Sequence, residues 1–354
     1  MRRWLITGGC GFIGCNLVRH LLAEGGHRIR VLDNLEVGKA GALRTLAPVV
    51  EAAPAACGAA SADERIELVV GDILDAEAVR ASARGCDVVV HLAANTGVGP
   101  SVQDPRRDCL VNVVGTLNCL EAARHERAGR FVFASSGAPV GEVEPPVHEE
   151  KAPHPVSPYG ASKLSGEGYC SAYYRSFGLE TVALRFGNVY GPGCDHKSSV
   201  VAAFVKRAMA GQPLEIYGDG GQTRDFIFVD DLVRSICKAA IVPGIGGQVF
   251  HIATAQETTI TELAAVLKRV LARHGFTETE LRHAPARTGD IRRNFADASK
   301  AAALLGWRPE VPLEEGLDRV VAWFAEDAEG RRVMPVPERA APAGDDAMVR
   351  SRTP

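Results

Sequence analysis

The chain has 354 residues, 46% hydrophobic and 23% charged, with a formal net charge of -3. These are the proportions of an ordinary globular protein long enough for a real core, and the slightly acidic balance argues against nucleic acid or an anionic membrane as partner, since both draw on clustered basic residues. No apolar run approaches the roughly 18 residues of a membrane span, and Met1-Arg2-Arg3-Trp4-Leu5-Ile6-Thr7 is too short in apolar residues for a secretory signal, so a cytoplasmic protein is expected.

Taken in chain order, Trp4-Leu5-Ile6 predicts a strand, Phe12 to Ala23 a helix, and Ile29-Arg30-Val31-Leu32 a second strand. Pro48 to Glu64 is rich in Ala, Pro and small residues without a period, and reads as a surface insertion. Ile66 to Val70, Val88 to Leu92, Phe131-Val132-Phe133 and Thr181 to Leu184 predict four more strands. Near-continuous apolar strands separated by helices imply an α/β fold, a doubly wound parallel sheet covered on both faces. After Asn188, turns such as Gly191-Pro192-Gly193 and Gly218-Asp219-Gly220-Gly221 separate shorter elements. They suggest a smaller C-terminal lobe over the carboxyl edge of the sheet, where ligands of such sheets bind. Thr261 to Leu271 has helical spacing. The expected division is a nucleotide-binding domain from residues 1–187 and 231–253, a second lobe from 188–230 and 254–328, and a disordered Pro- and Arg-rich tail from 329 to 354. The nine cysteines include no C-x-x-C pair; they read as small buried hydrophobes, with no disulfide framework and no metal site expected.

Thr7-Gly8-Gly9-Cys10-Gly11-Phe12-Ile13-Gly14 follows the first strand and opens the first helix. Glycines at 8, 11 and 14 allow a tight turn and a close backbone approach to a pyrophosphate, which the helix N-terminus attracts. Asp33 ends the next strand, 19 residues after Gly14. A carboxylate there bonds an adenosine ribose and repels a 2′-phosphate, which favours NAD over NADP. The fold is therefore read as Rossmann-like. Asp72-Ile73 and Leu92-Ala93-Ala94 sit at strand ends, where they can line the adenine and phosphates.

Ser157-Pro158-Tyr159-Gly160-Ala161-Ser162-Lys163 reads as a helix start, with Ser157 as cap and Pro158 in the first turn. Tyr159 and Lys163 then share a helix face. A free tyrosine is a poor base at neutral pH; a nearby ammonium, a positive nicotinamide and the helix N-terminus all favour its phenolate. Bringing it near neutrality takes about 4 kcal/mol of differential interaction. The competing reading pairs Lys163 with Glu167 on the helix surface. Ser135-Ser136 follows the fifth strand at the same edge, and the Ser136 hydroxyl can bond a reacting oxygen and share a proton with Tyr159.

These motifs, together with Arg185-Phe186-Gly187-Asn188-Val189-Tyr190-Gly191-Pro192 and Gln222-Thr223-Arg224-Asp225-Phe226, resemble the extended short-chain dehydrogenase/reductase family, in its nucleotide-sugar epimerase/dehydratase branch. The resemblance runs from Trp4 to about Phe324. It implies tightly held, recycled NAD, with Asn34, Asn112 and Phe186 added to the cofactor contacts. It also implies a homodimer built on helices such as Cys109–Arg124 and Tyr159–Phe177, and a nucleotide-sugar substrate, with UDP and dTDP both open. Asn188, Arg224 and Arg287 would contact the diphosphate, Tyr217 of Leu214-Glu215-Ile216-Tyr217-Gly218 would stack on the base, and Asp290 would bind a ribose. Two arginines suit a doubly charged pyrophosphate.

Within that branch, 4,6-dehydratases carry Asp-Glu directly after the catalytic hydroxyl residue, and decarboxylases carry Glu at the second of those positions. Here the positions are Gly137 and Ala138, which carry no acid or base. That implies 4-epimerisation: Tyr159 takes the C4 hydroxyl proton as C4 is oxidised by NAD, the keto sugar turns over, and it is reduced on the other face. A uronate decarboxylase or a reductase is the alternative, and a non-catalytic NAD-binding regulator would be expected to lose the Tyr159 and Lys163 pair. Two departures bear on the pocket. Pro139-Val140-Gly141 stands where the family has Val-Tyr-Gly, and its tyrosine's loss is expected to reshape the pocket. Asn294 occupies a position that limits room for the sugar in related 4-epimerases, so a uronate or N-acetylated sugar fits the reading. His196 and Lys197 are cations able to meet a uronate, though solvation at the surface is the expectation for both.

Overall fold

The computed structural model describes residues 1–54, 66–195, 197–286 and 291–330. The tail, His196, Arg287, Asp290 and most of the segment read as an insertion lie outside the described residues.

The chain starts with β1 (Arg2–Thr7), α1 (Phe12–Glu24), β2 (His27–Asp33), α2 (Ala40–Arg44), β3 (Val49–Glu51), β4 (Ile66–Val70), α3 (Ala76–Ala83) and β5 (Val88–His91). Then α4 (Val98–Gln103) and α5 (Pro105–Cys109) lead through a π-helical turn, Leu110–Val114, into α6 (Gly115–His125). β6 (Arg130–Ser136), α7 (Pro158–Phe177) and β7 (Thr181–Phe186) complete the first half. The second half holds β8 (Asn188–Tyr190), α8 (Val200–Met209), β9 (Leu214–Tyr217), β10 (Thr223–Arg224), β11 (Phe226–Phe228) and α9 (Val229–Ile241). β12 (Gln248–Ile252), β13 (Thr258–Thr259), α10 (Ile260–Arg273), β14 (Leu281–Ala284), a second π-helical turn (Ala301–Leu305) and α11 (Leu313–Gly330) follow.

Eight strands form one sheet in the order β12-β7-β6-β5-β1-β2-β4-β3, and every neighbouring pair is parallel. The apolar runs alternate between the two faces with the strand period of two. Leu5, Leu32, Val69, Val89, Phe131 and Phe133 pack in one core cluster with residues of α3, α6 and α7. Trp4, Ile6, Val31, Leu68, Val90 and Val132 pack in the other, with α1 and α9. Both faces are thus covered, as a parallel sheet requires. The charges that interrupt the apolar runs are paired: Arg30 and Glu67 face each other across β2 and β4, with Arg30 Nε donating to Glu67 Oε2 at 2.7 Å.

All six strands predicted from the sequence are present. The expected insertion is corrected at its start: Val49–Glu51 is a strand that adds to the sheet edge beside β4. β12 joins the opposite edge beside β7. β1 is flanked by β2 and β5, so the winding reverses at β1, and the crevice beyond its carboxyl end is the ligand position of this architecture. Among the described residues no helix is long and apolar enough to cross a membrane.

Candidate active site

The glycine turn leaves β1 at Thr7. Gly8 has φ +70°, and a Cβ on it would lie 2.7 Å from the Ala93 nitrogen. A Cβ on Gly14 would lie 2.5 Å from the Gly8 oxygen. Only bare backbone packs this closely, and it brings the start of α1 against the end of β5. No side chain caps α1, so its first N–H groups are available to an anion. Leu92 N donates to Thr7 O at 3.1 Å and Ala93 N to Thr7 Oγ1 at 3.3 Å, which fixes the Leu92-Ala93-Ala94 segment beside the glycine turn. Asp33 is 7% exposed; its carboxylate accepts from Cys10 N and Leu35 N, each at 2.9 Å. Asn34 Nδ2 donates to Asp72 Oδ2 at 3.0 Å. This cradle, with a carboxylate at the end of β2, fits a dinucleotide lacking a 2′-phosphate. Phe12 and Ile13 open α1, and the Ile73 side chain is buried against Gly115. Lys197 departs from the expectation of a solvated surface cation: it is half-buried, its ammonium 4.9 Å from the centre of the Phe12 ring.

Ser157 Oγ accepts from Gly160 N at 3.1 Å, so the predicted cap starts α7 and sets Tyr159 and Lys163 one turn apart. Ser136 ends β6, its Oγ accepting from Ala138 N at 3.2 Å, and its hydroxyl hydrogen-bonds the Tyr159 oxygen. Lys163 is 3% exposed; Nζ donates to Ala134 O at 2.9 Å and lies 5.0 Å from the Phe133 ring centre and 5.9 Å from that of Tyr159. Burial pulls the Lys163 ammonium down to about 8, while the charge of Asp108 pushes back. The chain's own groups do not supply the acidification expected of Tyr159. Burial pushes its phenol up to about 12, opposed only by the Ser136 hydrogen bond and reinforced by Asp108. Desolvation of the phenolate outweighs an ammonium already committed to a backbone carbonyl. The alternative pairing of Lys163 with Glu167 is also set aside. Glu167 is held by Arg185 through two bonds of 2.9 and 2.8 Å and by Ser135 Oγ at 2.6 Å.

Asn112 is 1% exposed in the π-helical turn. Its Oδ1 accepts from Asn95 N at 2.8 Å, and Nδ2 reaches Asn95 O at 2.9 Å, Asp108 Oδ1 at 2.9 Å and Ser162 Oγ at 3.2 Å. Asp108 was missed from sequence; the signal was a carboxylate four residues before Asn112, within reach on one helix face.

Phe186 ends β7, beside Ser136 in the register of the sheet, and Asn188 opens β8. Arg224 donates to Thr223 O and Ile291 O at 2.6 and 2.8 Å. Tyr217 ends β9, its hydroxyl 3.2 Å from Glu215 Oε2. A second missed residue, Asp225, anchors this region: it is 3% exposed and accepts from Thr254 N, Thr254 Oγ1 and Ala255 N at 2.6 to 2.9 Å. Val140 is 1% exposed in an apolar cluster with Val147, Ala253 and Ala296. The valine that replaces the family tyrosine is therefore absorbed into packing. Asn294 is half-buried, its backbone N–H on Thr223 Oγ1 at 3.3 Å.

The model of the NAD dependent epimerase/dehydratase family matches residues 4–253. A UDP-glucose 4-epimerase of Mycolicibacterium smegmatis is 38% identical over 327 residues, covering 91% of this chain and 98% of the relative. The chain belongs to the NAD-dependent epimerase/dehydratase family. Its fold is likewise that of a solved family member, the UDP-glucose 4-epimerase of Thermotoga maritima with UDP-glucose, at TM-score 0.81 and 35% identity over 92% of this chain and 99% of that one. A dTDP-glucose 4,6-dehydratase of Streptomyces niveus is 32% identical over 351 residues, covering 98% of this chain and 99% of the relative. The family thus contains both reaction types among close relatives, and NAD is the cofactor its members share. The glycine turn, the uncapped α1 and Asp33 are the residues of this chain that suit it.

Proposed function

We propose that the protein is a 4-epimerase acting on a UDP-linked sugar, in the first place UDP-glucose and UDP-galactose. The observation that carries this reading is the pair of positions after Ser136. A Cβ on Gly137 would meet nothing within 4 Å, so the space is open, and neither Gly137 nor Ala138 brings an acid or base to it. Elimination of water or loss of carboxylate needs such a group beside the sugar; inversion at C4 needs only the Ser136, Tyr159 and Lys163 set.

NAD, when bound, supplies the oxidising and reducing equivalents and a positive charge. In this reading Tyr159 removes the proton of the sugar's C4 hydroxyl as C4 is oxidised, and returns it to the same oxygen once the keto sugar has turned over and been reduced on its other face. Ser136 holds the reacting oxygen, and Lys163 supplies the positive charge that steadies the phenolate. Residues 1–187 and 231–253 would hold the cofactor. Residues 188–230 and 254–328 would hold the nucleotide sugar, through Asn188, Tyr217 and Arg224, with Arg287 and Asp290 assigned there from sequence. A homodimer is part of the proposal. Val98, Val102, Leu110, Val114, Tyr169 and Phe177 are exposed apolar side chains on α4, the π-helical turn and α7, elements that pack side by side; an uncovered patch of this kind marks an interface.

The test is to incubate the purified protein with UDP-glucose, UDP-galactose, UDP-glucuronate and UDP-N-acetylglucosamine and resolve products by NMR. Equilibration of a C4 pair supports the reading. A pentose with carbon dioxide, or a 4-keto-6-deoxy sugar, replaces it with decarboxylation or dehydration.

A further inference from the structure

Asp108, in the last turn of α5, is only 1% exposed, and carboxylates are rarely so buried unless paired. Among the described residues no ion pair reaches it; its neighbour Arg107 turns out to Glu36. Its partner is the Asn112 carboxamide, which also grips Asn95 in the loop after β5 and Ser162 on α7. Ser162 stands between Tyr159 and Lys163, its Oγ donating to Tyr159 O at 3.1 Å. One carboxylate therefore anchors the bridge between the cofactor-side loop and the helix that carries the reaction centre.

The same carboxylate dominates the charge there. The ionisable groups around Lys163 are Asp108 from α5, His91 from β5, and Tyr159, Glu167 and Cys170 from α7 itself. Glu167 is neutralised by Arg185. His91 and Cys170 are held uncharged by burial. Among the described residues, Asp108 is the carboxylate acting on Lys163 that has no ion pair of its own.

Resting on the reading that Tyr159 and Lys163 serve at the sugar's C4, we infer that Asp108 is a positioning residue of this site: its carboxylate is the fixed counter-charge of the Lys163 ammonium, and its bond to Asn112 sets the start of α7 against the loop after β5. The counter-charge keeps Lys163 protonated where burial works against it, and it holds the Tyr159 proton more tightly. Removing it moves both groups to lower pH.

The experiment uses Asp108→Asn, which keeps shape and an acceptor oxygen but removes the charge, with Asp108→Glu as the charge-retaining control. Lysine side-chain 13C NMR of the purified protein, with Lys163→Met for assignment, follows Lys163 directly. The parent should titrate at about 8, and Asp108→Asn about one pH unit lower. Both limbs of kcat against pH should move the same way, about a tenfold relative loss on the alkaline side, while Asp108→Glu restores the parent profile. Equal Lys163 midpoints and superimposable profiles in parent and Asp108→Asn overturn the inference. So does a parent midpoint below about 7, which needs no variant to fold. A parent that turns over no UDP-sugar sinks the proposed function instead, and the NMR titration still decides the role of Asp108.

Discussion

At the scale of single residues, the Tyr159 hydroxyl is a phenol at neutral pH, pushed up to about 12 by its surroundings. In the proposed mechanism the positive charge of bound NAD would offset that burial, which would tie the base to the cofactor. Tyr159→Phe keeps the ring and removes the acid-base group, so kcat should fall about 10³-fold with the thermal midpoint unchanged; a variant retaining a tenth of the parent rate would remove Tyr159 from the chemistry. His91 is a neutral counterpart. Between Thr7 Oγ1 at 2.7 Å and Thr116 Oγ1 at 3.0 Å, burial lowers its pKa from 6.5 to about 3. A lowered folded value means that the stabilisation is complete above 6.5 and lost as pH falls toward 3. Over that window unfolding takes up a proton at His91, a slope of about 1.4 kcal/mol per pH unit. Urea unfolding of His91→Gln should show a correspondingly flatter acid limb, and an unchanged limb would count against this account.

At the scale of elements, close backbone approach and one buried ion pair hold the site in place. Gly14→Ala puts a Cβ 2.5 Å from Gly8 O and from Gly9 Cα. Backbone cannot step aside as a side chain can, so we expect a loss of about 1–3 kcal/mol in chemical unfolding, together with weakened NAD binding by calorimetry. Glu167 and Arg185 are 5% and 4% exposed. Glu167→Ala leaves the guanidinium buried and unpaired, at a cost of about 3–5 kcal/mol, whereas loss of a surface pair such as Arg319 with Glu315 should be barely measurable. The same contrast explains what was legible in the sequence. Strands such as Val88–His91 are buried on both faces and announce themselves as apolar runs. The Ser157-Pro158 start of α7 is local chemistry and was read to the residue. β3 has three residues and lies at an edge, half-covered, so its pattern is too short to register. Asp108 reads as one more polar position on a helix, and its role emerges only when Asn112, Asn95 and Ser162, distant in sequence, converge on it. The competing pairing of Lys163 with Glu167 fails for a related reason: helix spacing offers Glu167, but Arg185 on β7 takes it.

At the scale of the molecule, the apolar side chains left uncovered on α4, the π-helical turn and α7 predict self-association. Leu110→Asp places a charge in that patch, 42% exposed in the isolated chain. It should convert a dimer to a monomer by light scattering with little change in helix content; a parent that is already monomeric at micromolar concentration would refute the dimer. The sheet has a further consequence for how the chain is made. Its edge beside β7 is completed by β12, which is separated from β7 by six other elements, β8 to α9. During synthesis β7 therefore waits with an open hydrogen-bonding edge while the intervening segment emerges. The two halves are woven together and cannot be divided at Asn188. A fragment ending there should fail as a free-standing cofactor binder and aggregate, and supplying residues 189–330 in trans should rescue it only if added while it folds.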